Sequence, residues 1–295
     1  MSEYDASKHP RGNPANVGQF VKKHRADGPD LSPGSGVDPR IGIIGTQDQL
    51  DIAIARAIAL DGDVDIAVHA SPDAVLRITD LPTRVGVNQY GGTLCVFSSD
   101  LDHAPVIETH EGSVFVEGPA AVVASGSSTA RARGGATVYA HDESTVTASG
   151  RVQVNAYDEA KIDAGFECYV SASGNCRVNL VDQAQCDATD TVHVDITAGI
   201  CRASGHAAVN ADGVGAFASL EDHASGEFRY GAHVGATGDS TVEVFDGAYA
   251  TIRERAHCTL HKGGTVEIVG ESPTFEIDPK SSPSSMSVIH RSEGW

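Results

Sequence analysis

The chain has 295 residues, with 21 Lys and Arg against 40 Asp and Glu, and a formal net charge of -19. This acidic balance argues against binding nucleic acid through its phosphates and against docking on anionic membranes, because both need clustered Lys and Arg. Hydrophobic residues make up 40% of the chain, so wholesale disorder is excluded, and no apolar run approaches the roughly 20 residues of a membrane span. Aromatic residues are only 5%, while glycine reaches 32, which favours a thin core of small side chains.

Residues 1–40 are rich in Pro, Gly and charge, and they show neither helical nor strand periodicity. We predict that this segment is a disordered tail. It contains no apolar stretch typical of a signal peptide, so the sequence predicts a cytoplasmic or virion-associated protein. The six cysteines include no Cys-x-x-Cys pair, and we expect them to be reduced and buried rather than disulfide-bonded.

A single helix is predicted within residues 41–62. Thr46 and Gln49 form a capping-box pattern, and Gly62 lies where a helix-terminating glycine is expected. Between them, one apolar stripe at helical spacing contains Leu50, Ala53, Ile54, Ala57 and Ile58. Strand-like alternation begins directly afterwards, and residues 63–111 are interpreted as irregular first coils of a repeat array that this helix caps.

A regular repeat occupies residues 112–270. Its unit is an eight-residue phrase, A-x-V-x-A-x-[D/G]-x, which occurs twice in GATVYAHDESTVTASG, from Gly135 to Gly150. Alternation of period two indicates strands with one buried face, and Asp or Gly at the end of each phrase indicates a tight turn. The predicted turn positions are Asp142, Gly150, Asp158, Gly174, Asp182 and Asp190.

The glycines predict how many residues make one coil. A row at a spacing of sixteen consists of Gly199, Gly215, Gly231, Gly247 and Gly263. The sequence therefore predicts an all-β, right-handed β-solenoid with about sixteen residues per two-sheet coil. About ten coils would give a rod roughly 48 Å long. A two-sheet sandwich is the alternative fold, but it does not account for the glycine row.

The apolar positions shift to odd numbers between Cys201 and Ala211 and return by Ala216. We interpret this shift as a pair of β-bulges. Residues 271–295, which include three prolines, are predicted to form a C-terminal cap or tail over the second end of the rod.

The array resembles the tandem Ala/Val octad repeats of actinobacterial and phage proteins, over residues 112–270. That resemblance implies a β-solenoid and carries no shared activity and no catalytic residue.

The two outward faces of the predicted rod differ in charge. One is largely uncharged and is our candidate binding face, with Tyr139, Tyr157, Tyr169, Phe217, His233 and Tyr249. The other is densely charged, with Glu143, Glu159, Lys161, Asp163, Arg177, Asp195, Glu227, Asp239, Glu243 and Arg255. Flat aromatics among Ser, Thr, Asn and Gln suit contact with a glycan or a protein, although cross-strand Tyr and Thr also simply stabilise a sheet.

No motif for phosphate, dinucleotide, calcium or zinc chemistry is present, so we expect no cofactor, no metal and no enzymatic activity. Three hypotheses remain. The first is a structural or interaction rod that presents its Tyr face to a glycan, a protein partner or another copy, in a phage particle or surface appendage. The second is an acidic decoy that mimics DNA. The third is a carbohydrate-active enzyme, because Asp163, Asp195, Glu227 and Glu243 share one column like the paired acids of solenoid lyases and hydrolases. Without long loops to exclude water, this third reading is disfavoured.

Overall fold

A computed structural model describes residues 44–60, 64–82, 85–99, 104–270, 272–280 and 286–291. It shows an all-β chain with one helix, wound into a parallel β-solenoid of about 12 turns, which confirms the predicted fold class. The predicted tail of residues 1–40 lies outside the described residues, as does Gly62.

The helix α1 spans Gln47–Ala59. The strands of the described residues are β1 (Val64–Val68), β2 (Val75–Thr79), β3 (Val85–Phe97), β4 (Val106–Glu117), β5 (Ala121–Ala124), β6 (Thr129–Arg133), β7 (Thr137–Ala140), β8 (Thr145–Ser149), β9 (Gln153–Ala156), β10 (Lys161–Gly165), β11 (Tyr169–Ala172), β12 (Arg177–Leu180), β13 (Gln185–Ala188), β14 (His193–Ile196), β15 (Gly199–Ala203), β16 (Ala208–Asp212), β17 (Ala216–Leu220), β18 (Ser225–Arg229), β19 (His233–Ala236), β20 (Thr241–Val244), β21 (Tyr249–Ile252), β22 (His257–Leu260), β23 (Thr265–Val269), β24 (Thr274–Ile277) and β25 (Ser287–Arg291).

The strands stack into two facing sheets. From β5 onward each strand pairs in parallel with the strand two places later, so odd-numbered strands form sheet 1 and even-numbered strands form sheet 2. Thr137 pairs with Gln153 and Gln153 with Tyr169, which fixes the coil at sixteen residues. With strands about 4.8 Å apart, twelve turns give a rod roughly 58 Å long.

The first coils are longer than those that follow. Strands β3 and β4 each bend through a corner and contribute to both sheets, and their pairing is offset by twenty residues, as between Val87 and Ile107. The bend in β3 falls at Gly91 and Gly92, whose positive φ angles permit it. From β5 onward the sixteen-residue repeat is established.

The core is a thin layer of Ala, Val, Ile, Leu and Cys contributed by both sheets. Successive residues point to opposite faces, so every second residue is buried in most strands, as in the pattern of β12, whereas β24 and β25 are exposed throughout. Among the described residues, Phe228 is the one large aromatic in this layer, and it is fully buried. Its ring fits because Gly226 is next to it on the same face, and a Cβ there would lie 2.7 Å from the ring. All six cysteines are free, as predicted, and five of them are buried.

Two corners join the sheets, and each repeats the same backbone geometry along the rod. The first corner leads from sheet 1 to sheet 2 and the second corner leads back. Every predicted turn residue has a positive φ, and so does every member of the glycine row. In the first corner, carboxylates reinforce the stacking, since the backbone N–H of Gly126 donates to Asp142 Oδ2 of the next coil at 2.9 Å. Asp and Gly are used here because they adopt this backbone region at low cost.

The register shift is present, but its location differs from our prediction. The pairing offset falls to fifteen residues between Gln185 and Ile200 and rises to seventeen between Ile200 and Phe217. Both changes lie in the second corner. This corner is one residue shorter than usual just before Gly199, and it is one residue longer than usual around Val214. The strand pairings themselves are unbroken, so the predicted bulges are wrong. A corner absorbs a residue more cheaply because no ladder hydrogen bond is lost there.

The helix closes the N-terminal end of the rod. Thr46 and Gln49 form the predicted capping box, and α1 packs on β1, β2 and β3. Leu50, Ala53 and Ala57 are buried in the core, whereas Ile58 of the predicted stripe is exposed. At the opposite end, residues assigned by sequence to a cap or tail form β24 and β25, which extend the stack.

Candidate interaction surface

The structure brings four of the six predicted binding-face residues into one column. Tyr169, Phe217, His233 and Tyr249 all lie in one outward column of sheet 1, at the first or second residue of β11, β17, β19 and β21. Gln185 and Ile200 occupy the two places between Tyr169 and Phe217. Tyr139 lies in the neighbouring outward column, and Tyr157 lies in the first corner.

Three rings of this column form a stack along the rod. The centroids of Phe217 and His233 are 5.3 Å apart at an interplanar angle of 28°, and those of His233 and Tyr249 are 5.6 Å apart. The hydroxyl of Tyr249 donates to Glu267, whose pKa is lowered chiefly by that hydrogen bond. Partial burial, followed by the same bond, raises the pKa of Tyr249. Contacts within the chain therefore fix the side chain of Tyr249, at the C-terminal end of this ring stack.

Tyr169 lies in the same column and is held in a similar way. Its hydroxyl donates to Asp187, which lies on β13 of the next coil, two residues beyond the residue that pairs with Tyr169. This hydrogen bond raises the pKa of Tyr169 to about 12. Tyr157 stacks instead on His141, with centroids 4.9 Å apart, and its pKa is raised mainly by burial. These two tyrosines thus have structural partners, which limits them as free binding groups.

Exposed apolar side chains line the second corner and the adjoining column of sheet 1. We call this set the apolar strip, and it consists of Phe166, Tyr169, Val181, Ile200, Val214, Phe217 and Tyr230. Val214 is 86% exposed, in the corner that gained a residue. The strip crosses five successive coils, which corresponds to about 19 Å along the rod. Large hydrophobic side chains gathered in this way on a sheet edge are typical of contact surfaces.

Two members of the apolar strip occupy a strained backbone position. Phe166 and Tyr230 have φ angles of 59° and 50°, in corner positions where neighbouring coils use Gly or Asp. A bulky side chain in this region costs about 1–2 kcal/mol relative to an ordinary conformation. Their side chains are also 61% and 62% exposed, so burial does not compensate for the strain. Retained strain of this kind is a recognised feature of functional surfaces.

Sequence reasoning missed five of these residues, namely Phe166, Val181, Ile200, Val214 and Tyr230. The signal for Phe166 and Tyr230 was an aromatic residue at a corner position where the coils directly before and after have Gly or Asp. Val214 lies between Gly213 and Gly215, where the extra residue enters the corner. Ile200 was overlooked because the register shift moved it into the outward column.

The predicted charged face is only partly correct. Sheet 2 carries Lys161, Asp163, Arg177, Asp195, Glu227 and Glu243, whereas the first corner contains Glu143, Glu159, Asp239 and Arg255, because the strands of sheet 2 begin after these residues. Asp163, Asp195, Glu227 and Glu243 do share one column of sheet 2, with Asn179 and Asn210 between the first three. The Asn179 amide donates to Asp163 at 3.2 Å, and the Asn210 amide donates to Asp195 at 3.1 Å. These amides separate Asp163, Asp195 and Glu227, whereas Glu227 and Glu243 are direct neighbours. Glu227 pairs with Arg229 at 2.6 Å and Glu243 with His261 at 3.1 Å, so contacts within the sheet account for the column.

An open groove of about 320 Å³ lies beside this column. Asp195, Asn210, Asp212, Glu227 and Arg229 line it. Arg229 forms an ion pair with Glu227 at 2.6 Å and lies over the ring of Phe245, 4.5 Å from its centroid. Asp195 and Glu227 are thus engaged with neighbouring groups on an exposed surface, where water is not excluded.

Among the described residues, no group of His, Cys, Asp and Glu side chains is arranged to hold a metal ion. Within the same residues, α1 is too short and too polar to cross a membrane. Comparison with protein families, curated proteins and solved structures finds no match to the chain. Its function is therefore argued from the surface described above.

Proposed function

We propose that the chain is a non-catalytic interaction rod whose apolar strip binds a protein partner. The observation that carries this proposal is the exposure of Phe166, Val214 and Tyr230 in one corner, two of them in strained backbone. The neighbouring coils have Gly or Asp at the positions of Phe166 and Tyr230, and Val214 lies in the corner that is one residue longer. The side chains there add contact area that the fold itself does not use.

The composition of the strip favours a protein over a glycan. Sugars stack on flat aromatic rings bordered by hydrogen-bonding groups, whereas Val181, Ile200 and Val214 offer aliphatic surface. Aromatic anchors set among aliphatic side chains are typical of the desolvated centre of a protein interface. The regular coils then act as a rigid support, because side chains at fixed register need little ordering upon binding.

A differential capture experiment tests this proposal. Phe217→Ser with Val214→Ser removes apolar surface from the centre of the strip, and Asn210→Ser is a matched control on the charged face of the same region. We expect tagged wild-type chain and the control to retain the same partner from a lysate of the source cells. The strip variant should lose it, with a normal circular-dichroism spectrum.

Ionic strength separates the proposal from the acidic decoy. Contact through apolar surface persists at high salt, whereas binding through the net charge of -19 would collapse. At roughly 1 M salt the Debye length falls to about 3 Å, so binding through net charge is screened. Capture that disappears at this salt concentration, or equal capture by the strip variant, would overturn the proposal.

A further inference from the structure

An uncharged surface lies on sheet 1 in the N-terminal half of the rod. The outward side chains of β7, β9 and β11 include no Asp, Glu, Lys or Arg, although the whole chain has a net charge of -19. Strand pairing places these side chains in three neighbouring rows, and the next row begins the charged surface again with Asp187. We call this surface the neutral patch, and it consists of Thr137, Tyr139, Gln153, Asn155, Tyr157 and Ser171.

The polar groups of the neutral patch are uncommitted within the part of the chain that the structure describes. The side chains of Tyr139, Gln153 and Asn155 form no hydrogen bond with any described residue. The charged face differs, since the Asn179 amide at the corresponding outward position of sheet 2 donates to Asp163 at 3.2 Å. Amides and hydroxyls both donate and accept hydrogen bonds. The neutral patch therefore keeps donors and acceptors for a ligand.

Tyr139 adds a ring that no described aromatic side chain covers. Its neighbours in the outward column are Val123 and Asn155, whereas the ring of Tyr157 is stacked on His141. Tyr157 therefore contributes only its hydroxyl to the patch. That hydroxyl lies close to the one of Tyr139, because burial and then the neighbouring Tyr139 raise the pKa of Tyr157.

This combination of groups fits a neutral glycan. A sugar ring presents C–H groups on its face and hydroxyls around its rim, so it stacks on a tyrosine ring while its hydroxyls bond to amides. An anionic polymer finds no Lys or Arg in the patch and is repelled by the acidic chain. A protein partner finds no aliphatic anchor, because the outward residues of β7 and β9 are Thr137, Tyr139, Gln153 and Asn155.

The shape of the patch indicates a polymer as its ligand. Short corners flank β7 and β9, so no described loop rises over the patch to enclose a single sugar. Neighbouring rows are about 4.8 Å apart, and the three rows therefore cover about 10 Å along the rod. Contacts with successive sugars of one chain add together on such a surface, and its fixed strand register needs little ordering upon binding.

We propose that the neutral patch binds a neutral polysaccharide, with one sugar stacked on Tyr139 and its neighbours hydrogen-bonded to Gln153 and Asn155. This inference does not depend on the apolar strip, which lies mainly along the second corner and has a different chemistry. The two surfaces allow the rod to bind a protein and a glycan at the same time.

Affinity electrophoresis of the full chain tests this proposal. Native gels are cast with hydroxyethylcellulose, galactomannan or dextran as neutral polymers, and with polygalacturonate as the anionic comparison. We expect at least one neutral polymer to retard the wild type, and polygalacturonate not to. A hexasaccharide of the retarding polymer should compete, whereas its monosaccharide should not. Tyr139→Ala, and separately Gln153→Ala with Asn155→Ala, should lose the retardation.

Matched variants separate a lost contact from a damaged fold or a lost protein site. Tyr230→Ala and Asn179→Ala remove the same side-chain types elsewhere on the rod and should be retarded like wild type. Phe217→Ser with Val214→Ser should also be retarded, which distinguishes this site from the apolar strip. The patch variants should keep a normal circular-dichroism spectrum. Wild type that no neutral polymer retards, equal retardation by polygalacturonate, or undiminished retardation of both patch variants would overturn the proposal.

Discussion

Replacing Phe166 by glycine should leave the stability of the fold almost unchanged, although a large aromatic side chain is lost. The side chain is 61% exposed, so its remaining burial contributes roughly 1 kcal/mol of the 1.5–3 kcal/mol expected for a fully buried Phe. Glycine also gains about 0.5–1 kcal/mol of backbone entropy in the unfolded chain. Against these losses, relief of the φ of 59° returns about 1–2 kcal/mol. The net change in unfolding free energy should lie within about 1 kcal/mol of zero.

Urea unfolding followed by circular dichroism measures this change. Phe228→Ala is the reference, because that Phe is fully buried and its truncation should cost about 3–5 kcal/mol. Tyr230→Gly should behave like Phe166→Gly, since its φ is 50° and its side chain is equally exposed. A loss of more than about 2 kcal/mol for either corner variant would show that these aromatics serve the fold. The argument for an interaction role would then lose its main support.

Two further predictions concern the turns and the tyrosine contacts. Gly118→Ala should destabilise the fold by about 2 kcal/mol or more, because its φ is 98° and a Cβ would lie 1.9 Å from the Ser98 carbonyl oxygen. Gly135→Ala, where no atom lies within 4 Å of the added Cβ, is the control and should change the urea midpoint little. Asp187→Asn should lower the pKa of Tyr169 from about 12, because the carboxylate hydrogen bond is the main cause of the shift. Ultraviolet difference titration against Tyr169→Phe reads this pKa, and an unchanged value would contradict the assignment. Because the folded pKa is raised, the stabilisation from this pair is present below pH 10 and is lost as the pH rises through about 12.

Much of the architecture could be predicted because the repeat shows the same pattern many times, with apolar residues at alternate positions and a turn residue at the end of each phrase. The glycine row and the Asp turns each recur over several coils, so a single exception does not obscure the period. The helix was equally clear, since Thr46 and Gln49 satisfy the end of α1 locally. The sequence did not predict that Ile58 is exposed, because its burial depends on how α1 lies across the first coils, and the helical period does not specify that.

The surface was harder to predict than the fold. The sixteen-residue period predicted that Phe217, His233 and Tyr249 share one outward column, and their rings do lie against one another. The exposed corner residues escaped notice because a one-residue change in a corner alters which side chains reach the surface. Val214 illustrates this, as its exposure follows from the longer corner and from no property of the residue itself. Strands β24 and β25 were also hard to predict, because the three prolines of residues 271–295 argue against strand pairing there.

Site-specific photocrosslinking at Val214 tests the central claim most directly. A benzophenone side chain placed at Val214, and separately at Asn179 on the charged face, should report which surface contacts a partner. We predict that the chain carrying the probe at position 214 crosslinks one defined protein in cells, in a manner resistant to salt after lysis, and that the probe at position 179 does not. The same crosslinked protein from both positions, or none from position 214, would contradict the account.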